Sequence, residues 1–213
     1  MSDKMDKLLA LIAEIGDEED VLIQLRSATW SGTSLQLQFA VSELNSDVNS
    51  GSGIWDVRCE DVLAYAISNE SAHWLELADD HPLLWDFKQE SASAFFYNAP
   101  LNAEAAVGSL YEVHRKAVGL WINFGKHLNS SPGLSKLLAA GNGLLAEGPL
   151  PLLTLYKDTL RSHGVELDIR FAHPRKVWDG SGWRELKTDN DSKALIMGTS
   201  YVIGSGWAAE QKS

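Results

Sequence analysis

The sequence contains very little cysteine, with Cys59 the single thiol among 213 residues. One cysteine excludes an intrachain disulfide, so the fold must be stable without a covalent cross-link. It also gives no indication of an oxidising compartment, and the cytoplasm is therefore the predicted location. Because 45% of the residues are apolar, a chain of this length can bury a sufficient core without disulfides or metals.

Long apolar runs are missing as well. The two candidates, residues 8–15 and residues 143–156, are interrupted by Glu14 and Glu147. Aspartates precede the first run, and the apolar region of a secretory signal is neither acidic nor flanked by acids. Neither run is long enough to cross a bilayer. We therefore expect a soluble protein with no membrane partner.

Positive charge is scarce, because 18 Lys and Arg stand against 29 Asp and Glu, which gives a net charge of −11. Nucleic-acid binding depends on clustered basic residues, and the local group His114-Arg115-Lys116 is short. We therefore expect no nucleic-acid partner. The acidic field instead favours a basic protein or a cationic ligand.

Signatures of catalysis and of metal or cofactor binding are also missing. No serine lies in the Gly-x-Ser-x-Gly turn of hydrolases, and the histidines lack the i, i+4 spacing of a metal pair. Residues 141–148 are glycine-rich, but a helical pattern precedes them, so they predict a helix end rather than a phosphate-binding loop. Glu60 and Asp61 predict a raised pKa for the Cys59 thiol, which disfavours a nucleophile. We predict no catalytic residue, metal ligand or cofactor.

Hydrophobic periodicity divides the chain into segments of different character. The predicted order is a helix at 3–15, a strand-rich segment at 20–98, a helical block at 102–163, a strand-rich segment at 165–204 and a frayed tail at 208–213. This order predicts an α+β fold, a single domain over residues 1–213. Its sheet is antiparallel-dominated or mixed, with about four helices packed on one face.

Several individual strands are also predicted. Residues 21–30 and 35–41 form a hairpin around Ser31-Gly32, because apolar and polar residues alternate on both sides of a turn signal. Two short strands are expected at 54–59 and 62–68, and one last strand at 194–203. A second hairpin is expected around residues 179–182.

A Gly-Ser-Gly triplet followed closely by tryptophan occurs three times. The copies are Gly51-Ser52-Gly53-Ile54-Trp55, Gly180-Ser181-Gly182-Trp183 and Gly204-Ser205-Gly206-Trp207. Glycine permits tight turns, and tryptophan adds a large apolar ring with one N–H donor. We interpret the copies as three separate turns. At most two of the rings Trp55, Trp183 and Trp207 are expected to be exposed anchors for a partner or ligand.

Two other groups of residues are candidate binding residues. Asp79, Asp80 and His81 precede a proline, which is typical of a turn, although the three side chains are also possible ligands of a divalent ion. Glu166, Asp168 and Arg170 alternate with apolar residues, so they share the charged face of a strand. That face is either solvated or in contact with a partner.

The sequence favours a cytosolic, non-catalytic recognition domain that binds a partner protein through loop tryptophans and an acidic surface. Inhibitor, immunity-type and adaptor proteins have this combination of properties. An alternative is a small-ligand-binding protein or enzyme whose pocket is rimmed by Trp55, Trp183 and the turn at 79–81. A second alternative is a structural subunit of an assembly, which uses the charged face of residues 166–170. The sequence does not indicate an oligomeric state.

Overall fold

The structure is a computed structural model that describes residues 3–14, 20–44, 53–68, 71–131, 133–171, 176–178, 183–185 and 191–212. The chain divides into two compact units. Unit 1 consists of Met1–His81 and Asp191–Ser213, and unit 2 consists of Pro82–Asn190. Each unit has its own hydrophobic core. The single domain predicted for residues 1–213 stays a prediction.

The described segments contain both helices and strands, which confirms the α+β class. The helices are α1 (Asp3–Glu14), α2 (Trp85–Lys88), α3 (Ala103–Val118), α4 (Leu134–Ala139) and α5 (Leu150–Arg161). The strands are β1 (Val21–Ser31), β2 (Ser34–Glu43), β3 (Gly53–Ala66), β4 (Ser71–Ala72), β5 (Glu76–Ala78), β6 (Ser91–Tyr97), β7 (Asn142–Pro149), β8 (Glu166–Phe171), β9 (Lys176–Trp178), β10 (Trp183–Glu185), β11 (Lys193–Met197) and β12 (Ser200–Lys212). No helix in these segments is long and apolar enough to cross a membrane.

Unit 1 is built on a curled, seven-stranded antiparallel sheet with the order β4-β1-β2-β3-β12-β11-β5. Apolar side chains alternate along the central strands and meet in register, as Leu37 does with Val57 and Phe39 with Trp55. All four are buried in the core of this unit. Because one face of each strand is apolar, the sheet buries that face, and the apolar stripe of α1 packs into the same core.

The first hairpin is confirmed, with its turn one residue later than predicted. Ser31 pairs with Ser34, so the turn residues are Gly32 and Thr33. Gly32 has φ +63°, a left-handed conformation that glycine adopts without a steric penalty. The glycine therefore fixes the position of the turn.

Three strand predictions in unit 1 are wrong. Residues 54–59 and 62–68 are expected to be separate, but one strand, β3, runs through Ala66, with an irregularity at Asp61, where φ is +46°. Conversely, the strand expected at 194–203 is two strands joined by a turn at Gly198. The tail at 208–213 is not frayed in its described part, because β12 pairs with β3 up to Lys212.

Unit 2 is built on a three-stranded antiparallel sheet with the order β7-β6-β8. Helix α5 packs on this sheet and on α3. The glycine-rich residues 141–148, predicted to end a helix, instead form most of β7, which pairs with β6. Gly141, with φ +82°, does end α4, and the chain enters the strand at the next residue.

The helices are divided between the two units, with α1 in unit 1 and the others in unit 2. The predicted packing of about four helices on one face of a sheet is therefore not confirmed. His114, predicted to lie in the core or an interface, is fully buried in unit 2. Its ring nitrogens lie 2.8 Å from the Tyr156 hydroxyl oxygen and 2.7 Å from the Ile122 carbonyl oxygen. This histidine is a structural residue.

Candidate functional site

The sheet of unit 2 has one buried face and one exposed face. Along β6, the side chains of Ala92, Ala94 and Phe96 are buried among the apolar residues of the core. The intervening side chains point to the opposite side, because side chains alternate along a strand. We call this opposite side the outer sheet face, and it comprises Ser93, Phe95, Tyr97, Glu147, Glu166, Asp168 and Arg170.

Arg170 lies at the centre of the contacts on the outer sheet face. Its Nε donates to Asp168 Oδ2 over 2.8 Å, and its guanidinium carbon lies 5.1 Å from the centroid of the Phe95 ring. Its Nη2 also lies 3.5 Å from the Tyr97 hydroxyl oxygen. The hydrogen bond with Asp168 raises the pKa of Arg170, which therefore stays charged. The guanidinium is thus held in place before any partner binds.

The outer sheet face is acidic overall. The three carboxylates of Glu147, Glu166 and Asp168 stand against the guanidinium of Arg170, which gives a formal charge of −2. Glu147 accepts a hydrogen bond from the Ser93 hydroxyl over 3.0 Å. A surface of this sign attracts basic partners and repels acidic ones.

A groove of about 590 Å³ adjoins the outer sheet face and shares Ser93 and Glu147 with it. Its polar lining is completed by Ser91, Lys126, His127 and Asn129. The groove runs beside β7 within unit 2. Its volume lies in the range of pockets that bind small molecules.

His127 closes one wall of the groove and is mostly buried. Its Nδ1 donates to the Glu147 carbonyl oxygen over 3.1 Å, and its Nε2 lies 3.7 Å from Asp86 Oδ1. An added Cβ at Gly148 would stand 2.6 Å from His127 Nδ1, so only glycine fits beneath the ring. Lys126 forms an ion pair with Asp86. No local pattern in the sequence indicates this cluster, because its members come from three separated segments.

The predicted charged face of β8 is exposed as expected. Glu166, Asp168 and Arg170 all lie on the outer sheet face. Sequence reasoning missed Phe95, Tyr97 and the other residues that join them, because strand register sets these neighbours. Only the alternation of serine and alanine over residues 91–94 could have indicated that the odd-numbered positions of β6 share one face.

Trp55 and Trp207 are buried, so they are not exposed anchors, and Trp183 is the one ring of the three that stays a predicted anchor. The two buried rings are 5% and 7% exposed and belong to the core of unit 1. The Trp207 Nε1–H donates to the Gly204 carbonyl oxygen over 3.0 Å, which folds the ring back onto its own triplet. This third triplet is an irregularity within β12 rather than a turn, because the pairing with β3 shifts there.

Trp183 begins β10, directly opposite Trp178 of β9. This pairing confirms strands on both sides of the predicted second hairpin. Residues 179–182 themselves and the side chain of Trp183 lie outside the described part of the chain, as do Gly51 and Ser52 of the first triplet. The role predicted for Trp183 stays a prediction.

Asp79, Asp80 and His81 form the bend between β5 and a 3-10 turn at Pro82–Leu84. Both aspartates are exposed. Burial lowers the pKa of His81, and the nearby charges of Glu76 and Asp80 oppose that effect. Within the described segments, no group of three or more His, Cys, Asp or Glu side chains is arranged to hold a metal ion.

Unit 1 exposes an aromatic pair that the sequence did not single out. Trp30 and Tyr65 are 46% and 52% exposed, and their ring centroids lie 5.3 Å apart in an edge-to-face arrangement. Trp30 stands at the end of β1, beside the hairpin turn. Its position next to Ser31-Gly32 was the available signal for exposure.

No protein-family model, no curated protein and no solved structure matches this chain. The fold and the site define an α+β protein with an exposed, acidic sheet face. Function is therefore inferred from the chemistry of that face.

Proposed function

We propose that the protein is a non-catalytic recognition protein that binds a basic partner protein through the outer sheet face. The supporting observation is the exposed guanidinium of Arg170, held over Phe95 and beside Tyr97 on a face of net negative charge. Arginine and tyrosine are over-represented among the residues that dominate binding energy at protein interfaces. A flat, exposed surface of this composition suits a protein better than a small molecule.

The charge of the chain and of the face favour a basic protein over a nucleic acid. Arg170 is the one basic side chain of the outer sheet face, and Asp168 already binds it. Phosphate groups would meet Glu147 and Glu166 without compensating cations. Lysine or arginine side chains of a partner would instead pair with these two carboxylates, which would speed association at low salt.

We place this activity in the cytoplasm, with an inhibitor, immunity-type or adaptor role. The one thiol supports that location, because Cys59 is free and buried in the core of unit 1. Structural disulfides are the usual mark of an oxidising compartment, and this chain cannot form one within itself.

Affinity purification with the full chain tests the proposal. The bait is compared with Glu166→Lys, which reverses one charge of the face, and with Asp158→Lys, the same change on the exposed side of α5. We expect a basic protein to bind the parent and the α5 variant but not Glu166→Lys, and its association rate to fall as salt rises. Thermal unfolding of the three baits checks that all are folded. An acidic partner, or equal capture by all three baits, would contradict the proposal.

A second candidate function is the binding of a small polar ligand in the groove beside β7. The sequence predicts a ligand pocket rimmed by Trp55, but Trp55 is buried, so the candidate pocket is instead the groove beside β7. The groove offers Lys126, Asn129 and Glu147 as polar groups of different charge. A compound that raises the melting temperature of the parent, but not that of Lys126→Ala, would support it. A panel of polar metabolites without such a compound would count against it.

A further inference from the structure

Among the residues that the structure describes, the sheet of unit 2 has one covered edge and one open edge. At the edge formed by β7, Leu128 bridges to Ala146, and the Asn129 N–H donates to the Leu145 carbonyl oxygen over 2.8 Å. At the opposite edge, β8 pairs with β6 alone among the described residues. The nearest described strands along the chain, β9 and β10, pair with each other.

An open edge offers backbone N–H and C=O groups to another strand. Natural proteins usually cover or interrupt such edges, and the other edge of this sheet follows that practice. Strand β8 has six residues, contains no proline and shows no irregularity in its pairing with β6. Its backbone is therefore a suitable template for a further strand.

The two faces of β8 differ in chemistry. Toward the core, the exposure of the apolar side chains rises along the strand, from 6% at Leu167 to 67% at Phe171. Ile169, between them, is half-buried. On the outer sheet face, the order is Glu166, Asp168, Arg170, two acids followed by a base. A strand that pairs here must offer the opposite charges on one face and apolar groups on the other.

We propose that β8 pairs antiparallel with β8 of a second copy of the chain, about a two-fold axis at Ile169. In this register, Asp168 stands opposite Arg170 of the second copy, and Arg170 stands opposite its Asp168. On the other face, Ile169 meets its own counterpart and Leu167 meets Phe171. A second copy of β8 therefore offers both the opposite charges and the apolar groups that a strand pairing at this edge must have.

Neighbouring symmetric registers are less favourable. An axis at Asp168 would place Glu166 opposite Arg170 twice, but it would also place the two Asp168 carboxylates opposite each other. An axis at Arg170 would place the two guanidinium groups opposite each other. An axis at Leu167 would place Asp168 opposite Glu166. Directly opposed like charges destabilise an antiparallel pair, whereas opposite charges stabilise it. The charge order therefore selects the axis at Ile169.

A two-fold interface uses the same patch on both subunits and closes after two copies. The pairing would join the two sheets into one of six strands and cover the exposed Phe171 ring. It uses Asp168 and Arg170 at the edge of the outer sheet face and leaves the rest of that face open on both copies. The dimer and the partner binding proposed above therefore share these two side chains, whereas Glu166 does not stand opposite a described residue in the dimer.

Sedimentation velocity of the full chain tests the dimer. The parent is expected to sediment as a dimer at chain concentrations of about 100 μM and to dissociate on dilution. Asp168→Arg and Arg170→Asp each place like charges opposite each other twice, so each should raise the dissociation constant by roughly tenfold or more. The decisive sample is a mixture of these two variants. It should form a heterodimer, because every Arg then stands opposite an Asp.

The matched control is Asp158→Arg, the same change of charge on α5, which should dimerise like the parent. Hydrogen exchange provides a second measurement, since amides of β8 should exchange more slowly at high chain concentration than at low concentration. A parent that stays monomeric at about 100 μM would overturn the proposal. A dimer that both single variants retain, or one without protection in β8, would overturn it as well.

Discussion

Gly204 shows how a single residue depends on a contact far away in the sequence. An added Cβ at this position would stand 2.5 Å from Cys59 Sγ and 2.9 Å from the Glu60 carbonyl oxygen. Strand β3 passes this close because its pairing with β12 shifts on both sides of Ser205. The glycine is therefore required by a close approach of two strands and not by a turn.

Gly204→Ala is expected to lower the free energy of unfolding by about 1–3 kcal/mol, because the methyl group overpacks the core. Gly108→Ala is the matched control, since no atom lies within 4 Å of a Cβ at this position in α3. There the change should raise the free energy of unfolding by about 0.5–1 kcal/mol through helix propensity. Urea unfolding measures both values. Equal effects of the two changes would contradict the steric argument.

The thiol of Cys59 is the other residue whose chemistry the fold determines. Burial raises its pKa to about 12, and the charges of Asp61 and Glu60 contribute in the same direction. The sequence predicted the direction from the two acids, but not that burial would be the larger cause. Burial depends on the register of β3 against its neighbours, which no local pattern reveals.

We expect Cys59 to be unreactive toward a chromogenic thiol reagent in the native protein at neutral pH, because the reagent requires thiolate and access. In denaturant, one thiol per chain should react at the rate of a free cysteine. Cys59→Ser should give no signal in either state. A native protein that reacts as fast as the unfolded chain would contradict this prediction.

At the scale of elements, the periodicity of apolar residues predicted those helices and strands whose pattern is set by residues close together in the sequence. The hairpin of β1 and β2, the helix α1 and the charged face of β8 each follow from a period of two or of three to four residues. Strand β7 was missed because Gly141 and Gly143 suggest a break, although the residues after them pair with β6. The extent of β12 was missed because its partner, β3, lies more than a hundred residues earlier.

The end of β12 is attached to β3 by an ion pair. Lys212 Nζ lies 2.9 Å from Asp56 Oδ2, and Gln38 Nε2 donates to Asp56 Oδ1 over 2.9 Å. Burial acts to raise the pKa of Asp56, but the hydrogen bonds from Gln38, Lys212 and Gln36, together with the charge of Lys212, outweigh it and lower the pKa below its usual value of 3.8. The ionised carboxylate therefore stabilises the folded state.

Asp56→Asn should reduce the free energy of unfolding by about 1 kcal/mol at neutral pH, because the charged hydrogen bonds are lost. A folded-state pKa below that of the unfolded chain gives stability that is fully present above pH 3.8 and is lost as pH falls through the folded value. The difference between parent and variant should therefore be constant above pH 3.8 and shrink below it. Unfolding measured across this range tests the prediction, and a difference that grows toward acid would refute it.

At the scale of the whole molecule, unit 2 is continuous in sequence, whereas unit 1 needs two separated segments. The core of unit 1 includes Leu195, Val202 and Trp207, which come from the second segment. Unit 2 contains a complete core within Pro82–Asn190. Composition could predict enough apolar residues for a fold, but not how the chain would divide them between two cores.

A fragment of residues 82–190 should fold by itself, because its core needs no residue from outside. A fragment of residues 1–81 should not fold, since it lacks β11 and β12. Near-ultraviolet circular dichroism and thermal unfolding of the two fragments check both statements. A single cooperative transition in the full chain, together with an unfolded 82–190 fragment, would favour the single domain that the sequence predicts.

The pairing of β12 with β3 also bears on synthesis. A ribosome delivers residues in order, and domains generally fold as units while the chain emerges. All of Pro82–Asn190 leaves the ribosome before β12 does, so unit 2 completes its core first. Until the last strand arrives, β3 stands with one side of its backbone unpaired in the nascent chain. During that interval the unpaired edge of β3 makes the nascent chain prone to aggregate.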